Sequence, residues 1–147
     1  MNYEQMLSTA GEAGIFAGPQ DRDDLAAAAR QTGLSLWEVD LTGARTKADM
    51  LERLRQTLPL PEYCADNWDA LDEALTDMAW EQASGVVLIL KGCGEFAHAD
   101  AESFETALEV FDAVAESCYD EDIPFWVFIE GVDAAEFDLP ILGEEEE

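Results

Sequence analysis

The sequence predicts an α/β fold: a small three-stranded parallel sheet with helices packed on it, in a single domain. Three observations lead there. Runs of strand character occur at Leu34–Leu41, Gly85–Leu90 and Phe125–Ile129, with helix-spaced stretches between them. The second and third runs are apolar throughout, as strands covered on both faces are. Strand, helices, strand, helix, strand then calls for parallel strands joined by right-handed crossovers. The 147 residues suit one domain, since about 100–150 is the commonest domain size.

Residues 1–33 read as a helical, Ala-rich extension. A short helix is expected around Tyr3 to Gly11; Asp21 can cap a second through Leu25 to Arg30, and Gly33 ends it. Residues 34–142 form the domain proper. Leu34 to Leu41 alternates with period two and reaches a turn at Thr42–Gly43. Thr46–Lys47–Ala48–Asp49 resembles a capping box with Asp in place of Glu, and Met50, Leu51, Leu54 and Leu58 follow at helical spacing.

Pro59 and Pro61 stop that helix and make a rigid loop to Ala65. Asp66 is the expected cap of the next helix, whose apolar stripe is Trp68, Leu71, Leu75 and Met78. Gly92–Cys93–Gly94 breaks the second strand. A long helix then carries Phe104, Leu108, Phe111, Val114 and Cys118 on one face, ahead of the last strand. Val132 to Leu142 has no clear pattern, and residues 143–147 are an acidic, solvated tail.

Charge narrows the function. Thirty-four Asp and Glu against seven Lys and Arg give −27, which works against binding nucleic acid or an anionic membrane. The imbalance is also uneven. The bases Arg22, Arg30, Arg45, Lys47, Arg53, Arg55 and Lys91 all lie at or before position 91, and 18 acids with no base follow Gly92. Such an excess favours solubility and fast capture of a cationic partner, while self-repulsion costs stability. The plain alternative is the solvated surface of a very soluble or salt-adapted protein.

Met1 to Gly14 has neither a basic n-region nor an apolar h-region, and no run approaches the roughly 18 apolar residues of a membrane span. Cys64, Cys93 and Cys118 include no CxxC pair. A reducing cytoplasm with free thiols is the expected setting.

Catalysis finds little support. His98 is the only histidine, so a nucleophile has one candidate base, with no partner evident from the sequence. Zinc spacing is absent, Gly92–Cys93–Gly94 falls short of a phosphate-binding fingerprint, and Asp120–Glu121–Asp122 lacks the loop pattern of a calcium site. No catalytic residue, metal or cofactor is expected.

The helix after Pro61 says more. With its apolar stripe inward, it turns Asp69, Asp72, Glu73 and Asp77 outward. Asp69/Glu73 and Glu73/Asp77 are like-charge pairs at i,i+4, each costing a helix about 0.2–0.5 kcal/mol. No base lies between Arg55 and Lys91 to offset them. Just before this helix, Tyr63 stands among Pro61, Glu62 and Asp66, an aromatic anchor beside a carboxylate ladder. Such a pairing suits a pocket lined with Arg and Lys. A solvated acidic face is the bland alternative.

The stretch Leu58–Pro59–Leu60–Pro61–Glu62–Tyr63–Cys64–Ala65–Asp66–Asn67–Trp68–Asp69–Ala70–Leu71 resembles the signature of the barstar family of intracellular ribonuclease inhibitors. The likeness runs from Leu34 to about Glu130, with residues 1–33 as an N-terminal extension. It implies an inhibitor, not an enzyme, whose loop and acidic helix plug the active site of a basic secreted ribonuclease or similar toxin. The carboxylates would stand where substrate phosphates go.

Carried over by position, Tyr63 matches the family's contact tyrosine and Asp69 its first interface aspartate. Glu73 falls on an aspartate, one methylene shorter; Asp72 falls on an aromatic contact and Ala113 on a glutamate. The partner-binding set is therefore Tyr63, Asp66, Asn67, Asp69, Asp72, Glu73 and Asp77, on a chain that is monomeric when free. The departures leave a second reading, a non-inhibitory acidic binding module for another basic protein or toxin. Cys64, inside the loop, is the one cysteine expected to be partly exposed.

Overall fold

The structure is a computed structural model that describes residues 13–18, 22–58, 67–81, 85–133, 136–137 and 139. In chain order the elements are β1 (Ile15–Ala17), α1 (Arg22–Gln31), β2 (Ser35–Asp40), α2 (Lys47–Thr57), α3 (Trp68–Glu81), β3 (Val86–Lys91), α4 (Gly94–Ala99), α5 (Ala101–Asp120) and β4 (Phe125–Ile129). The fold is α/β with a parallel sheet, and the sheet has four strands in the order β1-β4-β3-β2, where the sequence predicts three.

The added strand corrects the reading of residues 1–33 as wholly helical. Ile15, Phe16 and Ala17 pair in register with Val127, Phe128 and Ile129 of β4, and Val127 N–H donates to the Gly14 carbonyl. The expected helix around Tyr3 to Gly11, the Asp21 cap and the tail 143–147 lie outside the described residues.

Alternation along the strands sorts the core into two layers. Val86, Leu88 and Leu90 of β3, with Phe125, Val127 and Ile129 of β4, face α2, α3 and α5 and join Met50, Leu54, Leu71, Leu75, Phe104 and Phe111 in one cluster. The alternate residues Val87, Ile89, Trp126 and Phe128 meet Leu25, Ala28 and Ala29 of α1 in a second cluster. Both central strands are thus buried on both faces, as their unbroken apolar runs require.

Crossover handedness explains why α1 lies alone on its face. The path β2→β3→β4 steps across the sheet in one direction with its helices on one side. From β1 to β2 the chain travels the opposite way, so a right-handed crossover must carry its helix over the other side. There the rings of Phe16, Trp126 and Phe128 stack, with centroids 5.8 to 6.4 Å apart. The Trp126 indole N–H is buried with no acceptor, so packing alone holds that ring.

Two close approaches set the strand ends. Gly85 has φ +120°, and a Cβ there would lie 2.6 Å from Leu34 Cδ2, 2.7 Å from Pro124 Cγ and 2.9 Å from the Pro124 carbonyl oxygen. Gly92 has φ +66°, and its Cβ would stand 2.3 Å from Thr42 Oγ1. At this end of the sheet Arg53 Nη1 donates to the carbonyls of Asp40 and Thr42. Lys91 pairs with Glu38, and Arg22 bridges to Glu130 through two hydrogen bonds of 2.8 and 3.1 Å.

Candidate functional site: an acidic face on α3

α3 is positioned by its apolar side. Leu71, Ala74, Leu75 and Met78 are buried at spacings of three and four, and Trp68 packs half-buried against the same core. Its N-cap is Asn67, whose Oδ1 accepts from the N–H groups of Asp69 at 2.8 Å and Ala70 at 3.3 Å. This corrects the expected cap: Asp66 lies outside the described residues, and the capping oxygen belongs to the next residue. Tyr63 and Cys64 also lie outside the described residues.

Fixing the apolar stripe inward fixes the acids outward. Asp69, Glu73 and Asp77 are all exposed, one turn apart, on a single line along the helix. Asp72 stands off that line, half-buried; Thr76 Oγ1 donates to its carbonyl at 2.9 Å and approaches its Oδ1 at 3.5 Å. Asn67 is exposed, but its side-chain oxygen is engaged in the cap.

α5 packs beside α3 and widens the acidic surface. Glu102, Glu105, Glu109, Asp112, Glu116 and Asp120 are exposed along it, at successive intervals of three or four residues. Ala113 and Ser117 are exposed among them. Neither helix carries a base in its sequence.

Five of the seven bases are engaged elsewhere. Arg22 pairs with Glu130, Arg45 with Glu95, Arg55 with Glu52 and Lys91 with Glu38, while Arg53 caps carbonyls at the end of β2. Among the described residues, no ion pair reaches Asp69, Glu73 or Asp77. The face therefore presents closely spaced acidic side chains with no base beside them in an ion pair, an arrangement that a cationic surface would complement.

One feature of the site is invisible to sequence periodicity. Lys47, the first residue of α2, holds its Nζ 5.3 Å from the ring centroid of Trp68, the first residue of α3. α2 is capped by Thr46 as the sequence predicts, its Oγ1 accepting from Asp49 N–H at 3.1 Å, while Asp49 Oδ2 accepts from the N–H of Arg45, one residue before the cap, where a capping box would take that of Thr46.

Among the described residues, the groups that could do chemistry are not assembled. His98 is exposed on the short helix α4. Burial pushes the Cys93 thiol up to about 12 and the Cys118 thiol up to about 11, so neither supplies a thiolate near neutral pH. Among the described residues, no group of three His, Cys, Asp or Glu side chains could hold a metal ion, and no helix is long and apolar enough to cross a membrane.

Fold and site together define a small α/β protein that presents an unneutralised acidic helix. The family model for barstar, described as the barnase inhibitor, matches residues 34–130, and the chain belongs to that family. The match spans β2 through β4 and includes α3 with its acidic line; β1 and α1 precede it. A comparison with curated proteins finds no match.

Proposed function

We propose that this protein is an inhibitor that binds a basic ribonuclease and blocks its active site with the acidic side of α3 and the loop before it. The observation that carries this reading is the line Asp69–Glu73–Asp77, exposed and unpaired by any described base, inside the segment that matches the barnase-inhibitor family. Ribonuclease active sites are built to hold phosphates, and spaced carboxylates on a rigid helix offer such a site the same charge pattern. Tyr63 and Asp66, which precede α3 in the sequence, belong to the same partner-binding set, with Asn67 fixing the helix terminus and Asp72 at its flank. The general excess of acids draws the partners together over longer distances, so association is fast and weakens with salt.

In this reading residues 1–33 are an extension that completes the family domain 34–142, and residues 143–147 are an acidic tail. The protein acts in the cytoplasm, is monomeric until it meets its target, and uses no cofactor. The test is inhibition of RNA cleavage by a small basic ribonuclease, measured for the native chain and for the Asp69→Ala/Glu73→Ala double variant. Inhibition that the native chain shows and the variant lacks supports the assignment; equal inhibition by both moves the interface elsewhere.

A second reading is favoured by one observation. Ala113 is exposed on α5, where the family resemblance calls for a glutamate. A non-inhibitory module that binds another basic protein through the same acidic helix would need no acid there. Capture of a basic non-nuclease partner, with no inhibition of any ribonuclease tried, would favour this reading.

A further inference from the structure

The Lys47–Trp68 contact sits at the edge of the acidic line, and its chemistry suggests a use. Trp68 is half-buried: it packs against the core, and a cation lies over its ring. Asp69 follows it directly in the chain. An indole ring is the best aromatic receiver of a cation, and arginine occupies such rings more often than lysine does. Lys47, meanwhile, is held in the first turn of α2, where the positive end of the helix dipole disfavours a cation. Its long, flexible side chain can therefore leave the ring at small cost.

We propose that the Trp68 ring is a cation-receiving contact of the partner site and that Lys47 is its resident occupant, displaced when an arginine of the partner moves over the ring. This rests on the reading of α3 as the face that meets a basic partner. Lys47 then acts as a built-in competitor. It screens the ring in the free protein and lowers affinity, in contrast to a contact residue, whose removal weakens binding.

A hexa-arginine peptide serves as the probe, titrated at low salt while the Trp68 indole N–H is followed by NMR. The variants are Lys47→Met, which keeps the aliphatic stem, Trp68→Leu, their double variant, and Arg30→Met, which removes one base from α1 across the sheet. Lys47→Met should bind the peptide about two- to fivefold more tightly than the native chain, the range expected for freeing one exposed cation–π site. Arg30→Met should give a smaller gain, because it reports only the general charge effect.

In the Trp68→Leu background the effect of Lys47→Met should fall to that of Arg30→Met, and in the native chain the Trp68 indole signal should move with bound peptide. Equal gains from Lys47→Met and Arg30→Met overturn the proposal. So does a Trp68 signal that stays still while the Asp69 and Glu73 amides shift, or a peptide that does not bind. Each of these results leaves the ribonuclease reading to stand or fall on its own inhibition assay.

Discussion

Replacing Glu73 by Gln should make the protein more stable and a weaker inhibitor at once. Glu73 is exposed and is flanked by like charges one turn away on both sides, Asp69 and Asp77. Each such pair destabilises a helix by about 0.2–0.5 kcal/mol, so removing one charge relieves two pairs, or about 0.4–1 kcal/mol. With a urea dependence of about 2 kcal/mol/M, the unfolding midpoint should rise by about 0.2–0.5 M. The gain should shrink as NaCl approaches 1 M, where charges are screened beyond about 3 Å. Urea is the right denaturant, because guanidinium chloride would mask the effect with its own ions. Inhibition of a basic ribonuclease by Glu73→Gln should fall in the same preparation. A loss of stability, or a gain indifferent to salt, would refute the claim that Glu73 is held unpaired against repulsion.

Further outcomes follow from the fold. Leu25→Ala, which empties a fully buried site between α1 and the sheet, should cost about 2–5 kcal/mol in urea unfolding; a cost near zero would mean that α1 unfolds apart from the sheet. Gly85→Ala combines a left-handed φ with contacts under 3 Å, one of them to the backbone oxygen of Pro124, and should cost about 2–5 kcal/mol by the same measurement. In a Cys64→Ser variant, Cys93 and Cys118 should be silent to a thiol reagent at pH 8 and react fully in urea, because burial holds both thiols protonated; native-state labelling of either would show that the core opens readily.

Much of the architecture was legible because long periodic segments declare themselves. β3 and β4 read as doubly covered strands from their unbroken apolar runs, and the structure buries both faces. α2 read correctly down to its cap, since Thr46 and Asp49 satisfy the end of a helix locally. β1 was not legible. Three residues between Gly14 and Gly18 carry no period, and the partner that makes them a strand is β4, more than a hundred residues away. The covering of the sheet's second face by α1 follows from that missed strand.

At the site, the line Asp69, Glu73 and Asp77 was legible from helical spacing alone. The cap was misread by one residue because Asp66 and Asn67 are both good caps, and only the position of the first helical turn decides between them. The Lys47–Trp68 contact joins the starts of two helices, and no pattern within either helix predicts it.

The sheet also separates two surfaces. α1 lies over one face, and α3 lies over the other with its acids turned outward. Cargo attached to the exposed side of α1, whether a fluorophore, a solid support or a fused domain, would sit behind the sheet and leave α3 clear. Asp23, Asp24 and Gln31 are exposed there and outside the family match. They offer anchoring points from which this protein could be immobilised with its acidic helix facing the solution.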